Sequence, residues 1–150
     1  MSSWDDVPAE PTDEEIDAGA FFPAVSTAVF RETYRIPAEL PAETVRTLLR
    51  LAVLRVRSRL NPYRARMAAA GYGSLAEVPQ EGDEKLLLWK RAVSCEAKAE
   101  LLRETVTVDR KPEAENAAKS APETEREYKR LAALAIRELS GRGAITAETI

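Results

Sequence analysis

The stretch from Pro41 to Gly71, PAETVRTLLRLAVLRVRSRLNPYRARMAAAG, limits the possible folds more than any other part of the chain. Val45, Leu48, Leu49, Ala52, Val56 and Leu60 recur at or beside steps of three and four, the repeat of one helical face. Leu51, Val53 and Leu54 fall off that line, so the apolar arc is broader than a two-helix seam requires. Seven arginines share the stretch, and no acid occurs between Glu43 and Glu77. At about 100° per residue, Arg46, Arg50, Arg57 and Arg64 form one row, with Arg55, Arg59 and Arg66 nearly opposite. A helix apolar over a wide arc and basic along two edges requires neighbours.

A second helix is expected from about 84 to 106, opened by Asp83 as cap. Leu88, Ala92, Cys95, Ala99, Leu102 and Val106 form one seam, and Leu86, Trp89, Val93, Ala97 and Leu101 a line beside it. Two seams imply packing on two sides. Shorter helices are expected from Ser26 or Thr27 to Arg35, with Val29, Phe30 and Tyr34 inward, and from about Pro122 to Leu139. The inward face of the latter is Thr124, Tyr128, Leu131, Ala135 and Leu139, with Gly141 and Gly143 as its stop. Pro62 should kink or restart the central helix, with Asn61 as cap, and Gly71 should end it in a left-handed turn. Ser74-Leu75-Ala76-Glu77 reads as a capping box, and Asp109 to Ala121 as a polar linker. Alternating strand-like runs are missing. The expected class is all-α, a small bundle of two long and two or more short helices with extended N- and C-terminal arms.

Charge divides the chain. Residues 1–43 carry ten acids and two bases, whereas residues 44–76 carry seven bases and no acid, within a net charge of −3. Such segregation suggests a complementary contact, either inside the fold or between copies. Residues 1–20 read as a flexible acidic arm, 21–143 as a helical adaptor domain and 144–150 as a docking tail. Phe21-Phe22-Pro23 follows the arm and reads either as core or as a plug for a neighbour. Ile145 and Ile150 suit an added-strand or peptide-in-groove contact.

Catalytic constellations are missing. The chain has no histidine and one cysteine, Cys95, which falls in an apolar helical stretch and reads as core. No Cys-x-x-Cys, GxGxxG or Walker A pattern occurs, so no enzyme, metal or cofactor is expected. No apolar run approaches a membrane span, and synthesis in the cytoplasm follows. The row Arg46, Arg50, Arg57 and Arg64 could contact nucleic acid. A pI of about 5.2 and the lack of a stacking platform favour a protein interface instead.

The ordered series of short segments along the chain resembles the head completion protein family of tailed bacteriophages (gpL type). Those segments are Phe21-Phe22-Pro23, Ala69-Ala70-Gly71-Tyr72, Leu75-Ala76-Glu77-Val78-Pro79 and Trp89-Lys90-Arg91-Ala92-Val93. Ala97-Lys98-Ala99, Leu101-Leu102-Arg103-Glu104, Asp109-Arg110-Lys111 and a terminus with Ile145 and Ile150 continue it, over about Phe21 to Ile150. The family resembles the helical head–tail connectors. The resemblance implies a protein of the virion neck, made in the host cytoplasm and docked in a ring on the portal after DNA packaging. There it would retain the DNA and receive neck and tail-completion proteins. Its partners would be the portal, those proteins and identical subunits, with DNA in the channel as a further contact and no membrane. It implies no catalytic residue and no cofactor. Phe21, Phe22, Arg46, Arg50, Arg57, Arg64, Ile145 and Ile150 are the expected contact residues. Two features depart from the family pattern: an arginine-rich central helix interrupted by Pro62, and the acidic arm before Phe21.

Overall fold

The computed structural model describes residues 13–108 and 124–141, with side chains in the first span described through Thr105. Among the described residues, four helices and one small ladder make up the fold. In order they are β1 (Glu15–Ile16), β2 (Val25–Ser26), α1 (Thr27–Thr33), α2 (Ala42–Ala69), α3 (Glu84–Val108) and α4 (Glu125–Ser140), with a 3-10 turn at Leu75–Glu77. The all-α expectation holds, with α2 and α3 as the two long helices.

The β1–β2 ladder was not expected. Glu15 pairs with Ser26 and Ile16 with Val25, antiparallel. Thr27 extends the pairing by donating its backbone N–H to the Glu14 carbonyl at 2.9 Å. Its hydroxyl accepts from the Glu14 N–H at the same distance. Two residues per strand are too few for any periodic signal, and the ladder persists because Ile16 and Val25 are buried. Residues 13–20, assigned above to a flexible arm, are therefore held against the bundle; residues 1–12 lie outside the described residues.

α1 begins where Ser26 accepts a hydrogen bond from the Val29 N–H, a side-chain cap. Its apolar face differs from the expected one. Phe30 is buried and Tyr34 half-buried, but Val29 is 55% exposed. α1 ends at Thr33, short of the expected Arg35, and Arg35 turns the chain at φ 53°.

α2 buries Val45, Leu48, Leu49, Ala52, Val53, Val56, Leu60 and Tyr63. Leu51 and Leu54 remain exposed, so the wide apolar arc is only partly used inside. The helix runs through Pro62 without a fresh start. Ser58, Asn61 and Pro62 are all exposed, so water can serve the Ser58 carbonyl that loses its donor. Pro62→Ala restores that donor and should raise stability by about 1–2 kcal/mol, read from the urea midpoint. Gly71, at φ 101°, closes α2, and Tyr72 N–H reaches back to the Met67 carbonyl at 3.0 Å.

The expected capping box after it does not form. Ser74 makes no side-chain cap, and the Glu77 carboxylate accepts from the Gly73 N–H instead. At the start of α3 the side-chain acceptor is Gln80, not Asp83: its amide oxygen takes the Lys85 N–H at 2.6 Å.

Both seams of α3 are used. Ala92, Cys95 and Ala99 on one, and Trp89, Val93, Ala97 and Leu101 on the other, are buried. α3 packs against α2 and, most extensively, against α4. Small side chains suit that close approach: Ala92 and Ala99 on one seam of α3 and Ala132 and Ala135 on α4 are buried. Lys85 near the start of α3 donates to the Leu139 carbonyl near the end of α4 at 2.9 Å, so the two helices run antiparallel. α4 starts at Glu125 rather than Pro122, capped by Thr124, which accepts from the Glu127 N–H. It buries Ala132, Ala135, Ile136 and Leu139, so Ile136 joins the expected face while Tyr128 and Leu131 are half-buried at its rim.

Candidate functional site

Phe21 and Phe22 are core residues. Phe22 stacks on Trp89 with ring centroids 4.2 Å apart and planes 13° from parallel, and Phe21 meets Phe22 edge-on at 4.9 Å. The Trp89 indole N–H donates to the Pro23 carbonyl at 2.9 Å, and the Leu75 N–H to the Phe21 carbonyl at 2.8 Å. The aromatic pair thus fixes the segment before β2 onto α3, the first of the two readings given above.

The arginine rows of α2 divide by partner. Arg46 forms a two-pronged pair with Glu14, both bonds at 2.7 Å. That bond and the guanidinium charge hold the Glu14 carboxyl below its ordinary value. Part of the charge segregation in the sequence is therefore answered inside the fold, across 32 residues. Arg64 donates to the Asn61 side-chain oxygen at 3.2 Å. The Arg57 guanidinium lies beside Gly19, where a β-carbon would stand only 3.3 Å away. Among the described residues, Arg50 and Arg57 form no ion pair. A cleft of about 400 Å³ separates them from Glu15 and Asp17.

On the opposite row, Arg55 lies 3.3 Å from Glu100 and 4.0 Å from Glu96 on α3. Glu100 is also bound by Arg103 and is 8% exposed. Burial pushes its carboxyl up, but the hydrogen bonds and charges of Arg103 and Arg55 together outweigh this, and the net displacement is downward from 4.5. A carboxyl held low in the fold adds stability that is complete at neutral pH and fades as pH falls below about 4.5. Both arginines are substantially solvated, so Glu100→Gln should cost about 1–2 kcal/mol at pH 7. The difference in melting temperature between the two proteins should shrink between pH 5 and 3, roughly the window in which the carboxylate takes up its proton.

Between the two arginine rows the outer face of α2 carries Leu51 and Leu54, the latter 59% exposed. A second mixed surface lies at the start of α3, where Glu81, Asp83 and Glu84 are exposed and Leu87 is 63% exposed. This surface was not among the expected contacts; the acid run before an off-seam leucine was the available signal. Ile145 and Ile150 lie outside the described residues. Burial raises the Cys95 thiol above its ordinary value and keeps it a core group. No cluster able to hold a metal ion occurs among the described residues, and no described helix is long and apolar enough to cross a membrane.

The outer face of α2 thus sets unpaired arginines beside exposed leucines among the described residues. A model of the family described as Phage head completion protein (GPL) matches residues 16–150. The chain belongs to that family. The match takes in both long helices, α4 and the strand segment from Ile16 onward. No curated protein and no solved structure matches the chain. Head completion is a structural role in the virion and the family is not one of enzymes, so this protein's partners are phage head and tail components.

Proposed function

We propose that this head completion protein docks as a ring on the portal once DNA is packaged, retains the DNA, and presents a surface for neck and tail-completion proteins. The observation that carries this reading is the outer face of α2, where Arg50 and Arg57 lack ion-pair partners among the described residues beside exposed Leu51 and Leu54. Arginine next to exposed aliphatic groups is the composition of a protein contact. Its counterpart on an adjacent copy would be Glu81, Asp83, Glu84 and Leu87, matching cation to acid and leucine to leucine. Two different patches meeting head to tail generate a ring when the rotation closes.

A protein partner is favoured over DNA at this face because Glu14, Glu15 and Asp17 wall the cleft beside Arg46, Arg50 and Arg57. Those carboxylates weaken the positive field that a phosphate backbone would need. Phe21 and Phe22 are not offered as contacts, being buried. Ile145 and Ile150 keep their proposed role in a C-terminal docking tail. The test is to mix the protein with purified portal and examine the product by negative-stain electron microscopy. A ring of added density with the portal's symmetry is expected. Portal particles without added density, under conditions where both proteins are folded, would reject the reading.

A further inference from the structure

A second cleft, of about 300 Å³, lies between α2 and α4, away from the face just described. Arg59, Tyr63 and Arg66 line it from α2 and Arg137 and Ser140 from α4, with Ala133 and Ile136 completing it. No carboxylate is among these residues. Among the described residues none of the three guanidiniums has an ion pair or a side-chain hydrogen bond. Arg66 lies 5.9 Å from the centroid of the Tyr63 ring, and Lys85 Nζ lies 5.5 Å from it. Tyr63 itself is 5% exposed, and its hydroxyl is shut from solvent with no hydrogen-bond partner.

An unpaired buried hydroxyl is costly, and so is the convergence of like charges. The favourable interaction of a basic side chain with the end of a helix accounts for Arg66 and Arg137, each in the last turn of its helix. It does not account for Arg59, which lies well before the end of α2. We infer that this cleft is an anion site that takes a phosphate group. One carboxylate would satisfy a single guanidinium fork, whereas a phosphate presents enough charge and enough oxygens for three forks and a phenolic donor. Burial raises the Tyr63 hydroxyl above its ordinary value, so it stays protonated and able to donate. The phosphate comes either from solution or from a nucleic-acid strand, and the site is independent of the contact proposed for Arg50 and Arg57.

The experiment titrates the full-length protein with inorganic phosphate by calorimetry. In parallel, it is titrated with a short DNA strand bearing or lacking a 5′-phosphate, by fluorescence anisotropy. Saturable phosphate binding is expected, weakened at least about tenfold in Arg59→Gln with Arg137→Gln. Tyr63→Phe should weaken it about threefold to tenfold while melting no lower than the parent, since the unpaired hydroxyl is gone. Competition between DNA and phosphate identifies the strand as the source; phosphate binding alone identifies the free ion. The assignment is overturned if neither probe saturates, if the double variant binds as the parent does, or if glutamate binds as tightly as phosphate.

Discussion

Reversing two charges on α2, Arg50→Glu together with Arg57→Glu, should abolish head completion and leave the fold intact. Arg50 and Arg57 are exposed and without ion pairs among the described residues, so the substitutions remove no internal bond. The new carboxylates face Glu15 and Asp17 only across a solvated cleft. Stability should therefore fall by no more than about 1 kcal/mol, visible as unchanged circular dichroism and a melting temperature lowered by a few degrees at most. Assembly should respond differently. A repulsion introduced into a head-to-tail contact recurs at every junction of a closed ring, so its cost multiplies with subunit number. The measurement is the yield of completed heads when the variant replaces the parent in an infection. Adding Asp83→Lys and Glu84→Lys to the same chain should restore completion, because the sign of both surfaces is then exchanged. If the four-site variant stays inactive, the α2 face meets the portal or tail rather than a sister subunit. If the two-site variant completes heads normally, α2 is not the contact.

Trp89→Ala should be the most destabilising single substitution in the molecule, at about 3–5 kcal/mol. Trp89 is the largest of the fully buried side chains. Its loss would leave a cavity next to Phe22, delete the 4.2 Å ring stack and strand the Pro23 carbonyl without a donor. For a chain of this length the melting temperature should fall by about 6–20 °C. Trp89→Phe retains most of the packing and removes only the indole donor, so it should cost about 1–3 kcal/mol. Because Trp89 is where the segment 21–25 is anchored, limited proteolysis of the alanine variant should cut first before α1. Cutting elsewhere would mean the aromatic stack does not hold that segment.

The helical skeleton could be read from the chain because its signals are local. The two seams of α3 and the glycine stops at Gly71 and Gly141 each depend on residues within a turn or two of one another. What could not be read were choices of partner across long separations. Arg46 selects Glu14, Trp89 selects Pro23 and Lys98 selects the Tyr34 carbonyl at 3.0 Å; in the last two, more than sixty residues intervene. No periodicity encodes such a pairing. The same limit explains residues 13–20, whose composition is that of a solvated arm but whose Ile16 and Ala18 find cover on the bundle. The arginine rows were legible as geometry but not by role. Helical spacing placed Arg46, Arg50 and Arg57 on one edge without revealing that the first is latched. Arg59 and Arg66 could be placed on a row, but nothing local announced that Arg137 joins them.

The small side chains buried on α3 and α4 limit how descendants of this sequence can diverge. With Ala92 and Ala99 on one seam of α3 and Ala132 and Ala135 on α4 all covered, a larger side chain finds no free room at these positions. A single bulkier side chain there would act as a wedge, opening the distance that Lys85 spans to reach Leu139. The outward charges of α2 and the acidic turn before α3 can therefore change in concert with their partners, while the inner pair of helices keeps one fixed gauge.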